Sequence, residues 1–328
     1  MIGAHHSQRG WRAWFLIFLR WLAGVAVIAI LLRFLPLQLL KAAIAQIPFS
    51  RLVAVLAGYL LAHTIGVAKW RMVVNAAGAE LDYRTSAQCY FGGLFGTLFL
   101  PSIVGGDAVR LAVGLRSSPR PAAVLAGNVV DRFVDLIAQA GLVLLGLVLL
   151  PGSLPASVEA RTDKLVLAIA GAIFAAVALG ALLYRPMLRG RSVGFRRRLA
   201  RLRHALRGLS QRSHVLVYGW AAGTCVQMVF LLLTVRLAID CGLTLPLRAW
   251  LFAWPLAKLA AMLPLTQGGI GVREAALVGL LAPFGAPKHL VLAAGLVWEA
   301  VVIAGGLVAG AIAFVLRLGN RPALPDAD

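Results

Sequence analysis

Apolar runs broken by short basic segments set the pattern of this chain. Residues 13–35 are apolar apart from Arg20 and Arg33, long enough to cross about 30 Å of hydrocarbon as a helix. Further spans are predicted at 52–74, from about 121 to 151, at 165–184, at 214–239 and at 290–316. Lys69, Trp70 and Arg71 are placed at the inner end of the second span. Two other apolar stretches, 87–100 and 247–263, run into a proline and paired glycines. The segment beyond each is too short to span, so each reads as one arm of a re-entrant hairpin. A cleavable signal peptide ending at Ala43-Ile44-Ala45 is the rival reading of the first run; its length and the two-fold repeat of the chain favour a retained span.

The punctuation at the two hairpins is the same. Leu100-Pro101-Ser102-Ile103-Val104-Gly105-Gly106-Asp107-Ala108-Val109-Arg110 and Leu263-Pro264-Leu265-Thr266-Gln267-Gly268-Gly269-Ile270-Gly271-Val272-Arg273 share the pattern L-P-x-x-x-G-G-x-x-V-R. A motif that recurs once in each half of a chain is an architectural signal. The expected fold is an all-α polytopic membrane protein of about six transmembrane helices plus two re-entrant hairpins. Its single membrane domain, 1–328, divides into halves at 1–152 and 153–328. Three spans separate the motifs, so the hairpins enter from opposite faces and the halves form an inverted-topology repeat.

Composition narrows the class. Of the 328 residues 61% are hydrophobic and 13% charged, whereas a soluble domain has about 45–50% and about 25%. The formal charge of +20 would suggest nucleic acid on a soluble chain. Here the basic residues gather between spans, with ten arginines and no acid from Arg185 to Arg212. That segment reads as a cytoplasmic loop on an anionic lipid surface, not as a nucleic-acid site. With the N-terminus inside, the segments 69–86, 110–120, 185–212 and the C-terminal tail share the cytoplasmic side, as the positive-inside rule asks. Cys89, Cys225 and Cys241 show no metal or disulfide spacing, and no metal or cofactor is expected.

Irregular backbone at membrane depth is tolerated only inside protein or beside a water-filled cavity, the arrangement found in many secondary transporters. If a short helix begins at each Gly-Gly pair, its free N–H groups and positive dipole end face the space between the hairpins. Arg110 and Arg273 add full charges, so Gly105, Gly106, Arg110, Gly268, Gly269 and Arg273 are the expected binding residues for an anionic group, with phosphate the natural choice. The motifs, with this hydropathy profile, resemble the membrane region of the lysyl-phosphatidylglycerol synthase/flippase family over nearly the whole chain. The resemblance implies a multi-pass bacterial inner-membrane protein that acts on lipids and translocates them. The aminoacyl-transferase domain of the two-part members has no counterpart in this sequence, so lysylation is not expected to carry over.

Several polar residues in apolar sequence are candidate partners. Asp107 and Arg110 suit a local ion pair at i, i+3; Glu274 adjoins Arg273. Asn128, Arg132, Asp135 and Gln139 share a helical face. Asp131 and Arg132 sit at the interface if the span is 133–150, or inside, needing partners, if the helix is buried from Val124. Glu299, within the last span, corresponds to Asp135 allowing a one-residue shift, and both are candidates for proton coupling or for pairing with the motif arginines. Lys258 could neutralise Glu299. His63 reads as a packing residue, and Arg236–Asp240 as an i, i+4 pair.

The reading these features support is a lipid transporter or flippase for an anionic or phosphate-bearing lipid. The alternatives are a membrane-embedded transferase or hydrolase on a polyprenyl or glycolipid substrate, and a non-catalytic partner of a lipid-modifying enzyme docked through the arginine loop. A homo-oligomer is compatible with each.

Overall fold

The computed structural model describes residues 18, 22, 37–100, 102–149, 206–208, 211–262, 266 and 268–318. The predicted span at 13–35 apart from residues 18 and 22, the span at 165–184, and most of the arginine loop lie outside the described residues. Every regular element among those described is helical.

Helix α1 covers Leu37–Ala45 and α2 covers Phe49–Ala76. Helix α2 enters after Pro48, whose missing N–H costs a helix start nothing. It stops at Gly78, which has φ +98° and closes a paired-carbonyl cap: Gly78 N–H donates to Asn75 O and Ala79 N–H to Val74 O. Helices α3 (Tyr83–Gly96) and α4 (Ser102–Ser117) form a hairpin, with Asp82 capping α3 by accepting from the Thr85 N–H. Helix α5 is Pro121–Val148, with proline in its first turn. The chain resumes in α6 (Ser213–Asp240), α7 (Leu247–Ala260), α8 (Val272–Leu281), a 3₁₀ turn (Ala282–Phe284) and α9 (Lys288–Leu318).

The boundaries repeat. Both ends of α2 and α6 are displaced by 164 residues, and so are both ends of α3 and α7. The cap recurs as well: Gly242, with φ +86°, ends α6 as Gly78 ends α2, with Leu243 N–H donating to Ala238 O.

Helices α2, α6 and α9 are long and apolar enough to cross a membrane. Helix α5 matches α2 and α6 at 28 residues but carries Asp131, Arg132 and Asp135. The 14-residue α3 and α7 rise about 21 Å, short of a hydrocarbon core of about 30 Å. Helix α7 is buried on all sides from Ala249 to Ala257, as an element without a polar face must be. It sits in the main core with Leu231, Leu237, Leu281 and Leu292 around it.

The α3–α4 hairpin closes through its glycines. A Cβ at Gly93 would come within 2.8 Å of Gly106 O, and one at Gly106 would strike Thr97 and the Gly93 carbonyl. Backbone at that distance leaves no room for a side chain. Gly106→Val should therefore cost about 1–3 kcal/mol as overpacking and lower the thermal unfolding midpoint in detergent. Gly141→Ala, at a position with nothing within 4 Å, should leave the midpoint nearly unchanged.

Candidate functional site

The buried face of α5 is the base of the site. Ala123, Val124, Gly127, Asn128 and Asp131 lie at helical spacing and are all buried, so the helix is inside the protein from its first turn. Of the two placements open to Asp131 and Arg132, the inside one holds: Asp131 is buried, Arg132 is half-buried, and both find partners. Lys69 Nζ is 2.8 Å from Asp131 Oδ1 and 2.5 Å from Asp135 Oδ1. Arg110 Nη2 is 3.3 Å from Asp131 Oδ2 and 3.1 Å from Asp107 Oδ1. Arg132 pairs with Asp107 and lies 3.6 Å from Asp135 Oδ2. Taken in order, Lys69, Asp131, Arg110, Asp107, Arg132 and Asp135 form a closed ring of six alternating charges drawn from α2, α4 and α5.

Neutral groups hold the ring in shape. Asn128 Oδ1 accepts from both Arg110 Nε and Trp70 Nε1 at 3.1 Å. The Arg110 guanidinium also lies over the rings of Trp70 and Tyr90, 5.3 and 5.4 Å from their centroids. The Asp107–Arg110 pair forms as its spacing predicts. Asp135, however, pairs with Lys69 and Arg132, and the carboxylate that answers a motif arginine on α5 is Asp131. Lys69 is not at the end of a span: α2 continues to Ala76, and Lys69 is buried on the face that carries Gly66, Trp70 and Val73.

The second motif builds a smaller cluster. Arg273 donates to Glu274 Oε1 from Nε at 3.1 Å and from Nη2 at 2.9 Å, and Nη2 also pairs with Glu299. Glu274 is fully buried, and its Oε2 accepts the Gly271 N–H at 2.7 Å. That one-sided cap occupies the start of α8 with the chain's own carboxylate. Lys258 does not pair with Glu299; its amine donates to Gln227 Oε1 at 2.6 Å.

The two copies of the motif thus take different backbones. In the first, the helix begins at Ser102, ahead of Gly105 and Gly106, so those glycines lie within a helix and serve close packing. In the second, Gly268, Gly269 and Gly271 have φ of +60°, +80° and +82°, and the helix waits until Val272. Neither copy begins its helix at the Gly-Gly pair itself.

Two cavities, each of about 130 Å3, lie beside these clusters. The first takes Gly106, Asp107 and Arg110 from the first motif, with Lys69, Arg132 and Asp135. The second takes Gly268, Ile270 and Arg273 from the second motif, with Glu299 and Trp298. They share a wall of His63, Leu94, Thr97, Phe230 and Lys258. His63 is packed as expected, its ring against Tyr59 and Phe230 and its Nδ1 3.3 Å from the Tyr90 hydroxyl, but it also faces both spaces. Arg236 and Asp240 pair at 2.9 Å as expected, away from the site.

Lys69, Gln227 and the paired role of Asp131 escape a reading by motif. The spacing of Asn128, Asp131 and Asp135 at i, i+3 and i+7 holds the signal for Asp131. Lys69 has its own: a lysine on the same helical face as Gly66 and Val73, inside an apolar run.

Membrane-length helices around a charged, partly enclosed interior define a multi-pass membrane protein. The chain belongs to the lysylphosphatidylglycerol synthase TM region family, whose model matches residues 21–310. Membership ties it to membrane-lipid function. No curated protein matches the chain significantly.

Removing one member of the ring leaves a buried charge without its complement. Asp131→Asn should destabilise the protein by about 3–5 kcal/mol, read as a lower thermal midpoint in detergent. Glu80→Gln, which removes the exposed partner of Arg120, should cost at most about 1 kcal/mol.

Proposed function

We propose that this protein moves a lipid with an anionic or phosphate-bearing headgroup between the leaflets of a bacterial inner membrane. The observation that carries the reading is the pair of cavities with a common wall, each lined by the arginine of one copy of the motif. Gly105, Gly106 and Arg110 stand at one end of the headgroup path, and Gly268, Gly269 and Arg273 at the other. Asp107, Asp135, Glu274 and Glu299 hold the cations in place. A headgroup passing between the cavities would stay among polar groups while its acyl chains remain in hydrocarbon, lowering the barrier that the bilayer sets.

On this reading the halves are an inverted repeat, supported by the 164-residue displacement of two helix pairs and their shared glycine caps. The α3–α4 and α7–α8 hairpins are re-entrant, supported by the shortness of their arms. Both termini are cytoplasmic, and the arginine loop lies on the anionic inner leaflet.

The test is movement of fluorescent lipids in proteoliposomes, read by a quencher that reaches only the outer leaflet. Wild type should speed loss of fluorescence for phosphate-bearing lipids. Arg273→Ala should slow that loss about tenfold or more, and Thr97→Trp, which fills the shared wall without altering charge, should slow it comparably. Folded, inserted wild-type protein that moves no lipid, or both variants moving lipid at the wild-type rate, would overturn the reading.

A further inference from the structure

Lys69, Arg110, Arg132 and Arg273 each lie within 4 Å of at least one carboxylate. Lys258 is different. Its amine donates to the uncharged Gln227 Oε1 and faces the rings of Trp254 and Phe230, 5.1 and 5.5 Å from their centroids. An ammonium has three N–H donors, and an amide oxygen supplies no balancing charge. Aromatic faces attract a cation but accept no proton in the manner of an oxygen anion. Glu299 lines the second cavity with Lys258, yet its carboxylate is turned to Arg273.

Position makes this charge consequential. Lys258 belongs to the wall common to both cavities, so one side chain reaches either space. It stands on α7, a helix buried on all sides, and therefore projects from a fixed base. Gln227, its partner on α6, lines the first cavity and offers amide N–H donors beside the ammonium. A cation with no carboxylate within 4 Å among the described residues, next to neutral donors in a low-dielectric cavity, is what an oxyanion needs.

We propose that Lys258, with Gln227, binds the phosphate of a mono- or diester at the junction of the two cavities. This rests on the lipid-moving reading for its place in a path, though not for its chemistry. The ammonium exchanges Gln227 Oε1 for a phosphate oxygen, while the motif arginines keep their carboxylates. One residue then stays in contact with the phosphate as it passes from the first motif's cavity to the second's.

The test uses the full chain in detergent and tryptophan emission, with Trp254 beside the amine as reporter. The probes are dihexanoyl phosphatidylglycerol, dihexanoylglycerol with the same chains and no phosphate, and inorganic phosphate. Wild type should bind the phospholipid. Lys258→Met should weaken that binding at least about tenfold and Lys258→Arg by less than about threefold, while dihexanoylglycerol binds all three alike. Competition by inorganic phosphate would assign the site to the ion itself, and its failure to compete would assign the site to lipid-borne phosphate; both require Lys258. Wild-type affinity in Lys258→Met, or equal loss of both lipids, would overturn the proposal. If Lys258→Met does not fold, Gln227→Glu decides: it sets a carboxylate against the ammonium and removes the amide donors, so phospholipid affinity should fall at least about tenfold, and wild-type affinity would overturn the proposal. Wild type that moves lipid while Lys258→Met binds normally would sink this inference alone. Binding through Lys258 without movement in vesicles would sink only the proposed function.

Discussion

A charge inside an apolar medium has to be answered by another, and much of this structure depends on that constraint. Asp131, with no exposed surface, is answered from two sides, by Lys69 on α2 and Arg110 on α4. Those contacts fix the hairpin against α2 and α5. Because the charges alternate round a closed ring, no member can be removed or inverted without leaving a neighbour exposed to its own kind. A buried ion pair is often no more stabilising than the apolar residues that could replace it, so six such groups are weak evidence for stability. They are stronger evidence for a polar interior that the protein uses.

The second half answers its charges differently. One guanidinium serves two carboxylates, one of which also caps a helix, and Lys258 stands apart with an amide and two rings. The halves therefore share the boundaries of α2 with α6 and of α3 with α7, but not their electrostatics. The cavities lie where these two solutions meet. Phe230 and His63 separate them sterically, and Lys258 places a charge in the same partition.

The helical fold was legible because its physics is local. Apolar runs of membrane length marked α2, α6 and α9, while Pro101 marked the turn between α3 and α4 and the second glycine pair marked the break between α7 and α8. The motif repeat pointed to both arginines, and the cavities do meet them. What escaped was relational. Nothing near Lys69 in the chain says that its ammonium meets a carboxylate 62 residues on, because that contact depends on how α2 packs against α5. The same holds for Gln227 and Lys258. Equal sequence at the two motifs also concealed unequal backbone: Gly106 is required by a neighbouring carbonyl, whereas Gly269 is required both by its own φ and by Ala261 beside it.

The ring has a consequence for how the protein is made. Each charge at the centre of a helix costs about 2.5–3.5 kcal/mol on insertion, and the middle of α5 carries three, Asp131, Arg132 and Asp135. Its apolar C-terminal part partitions readily, but the rest needs company. The counter-charges from outside α5, Lys69, Asp107 and Arg110, all precede it in the chain, and are therefore synthesised before Asp131 leaves the ribosome. The second cluster likewise draws Arg273, Glu274 and Glu299 from its own half. Each half can thus pair its own motif arginine with carboxylates during synthesis, before it meets the other.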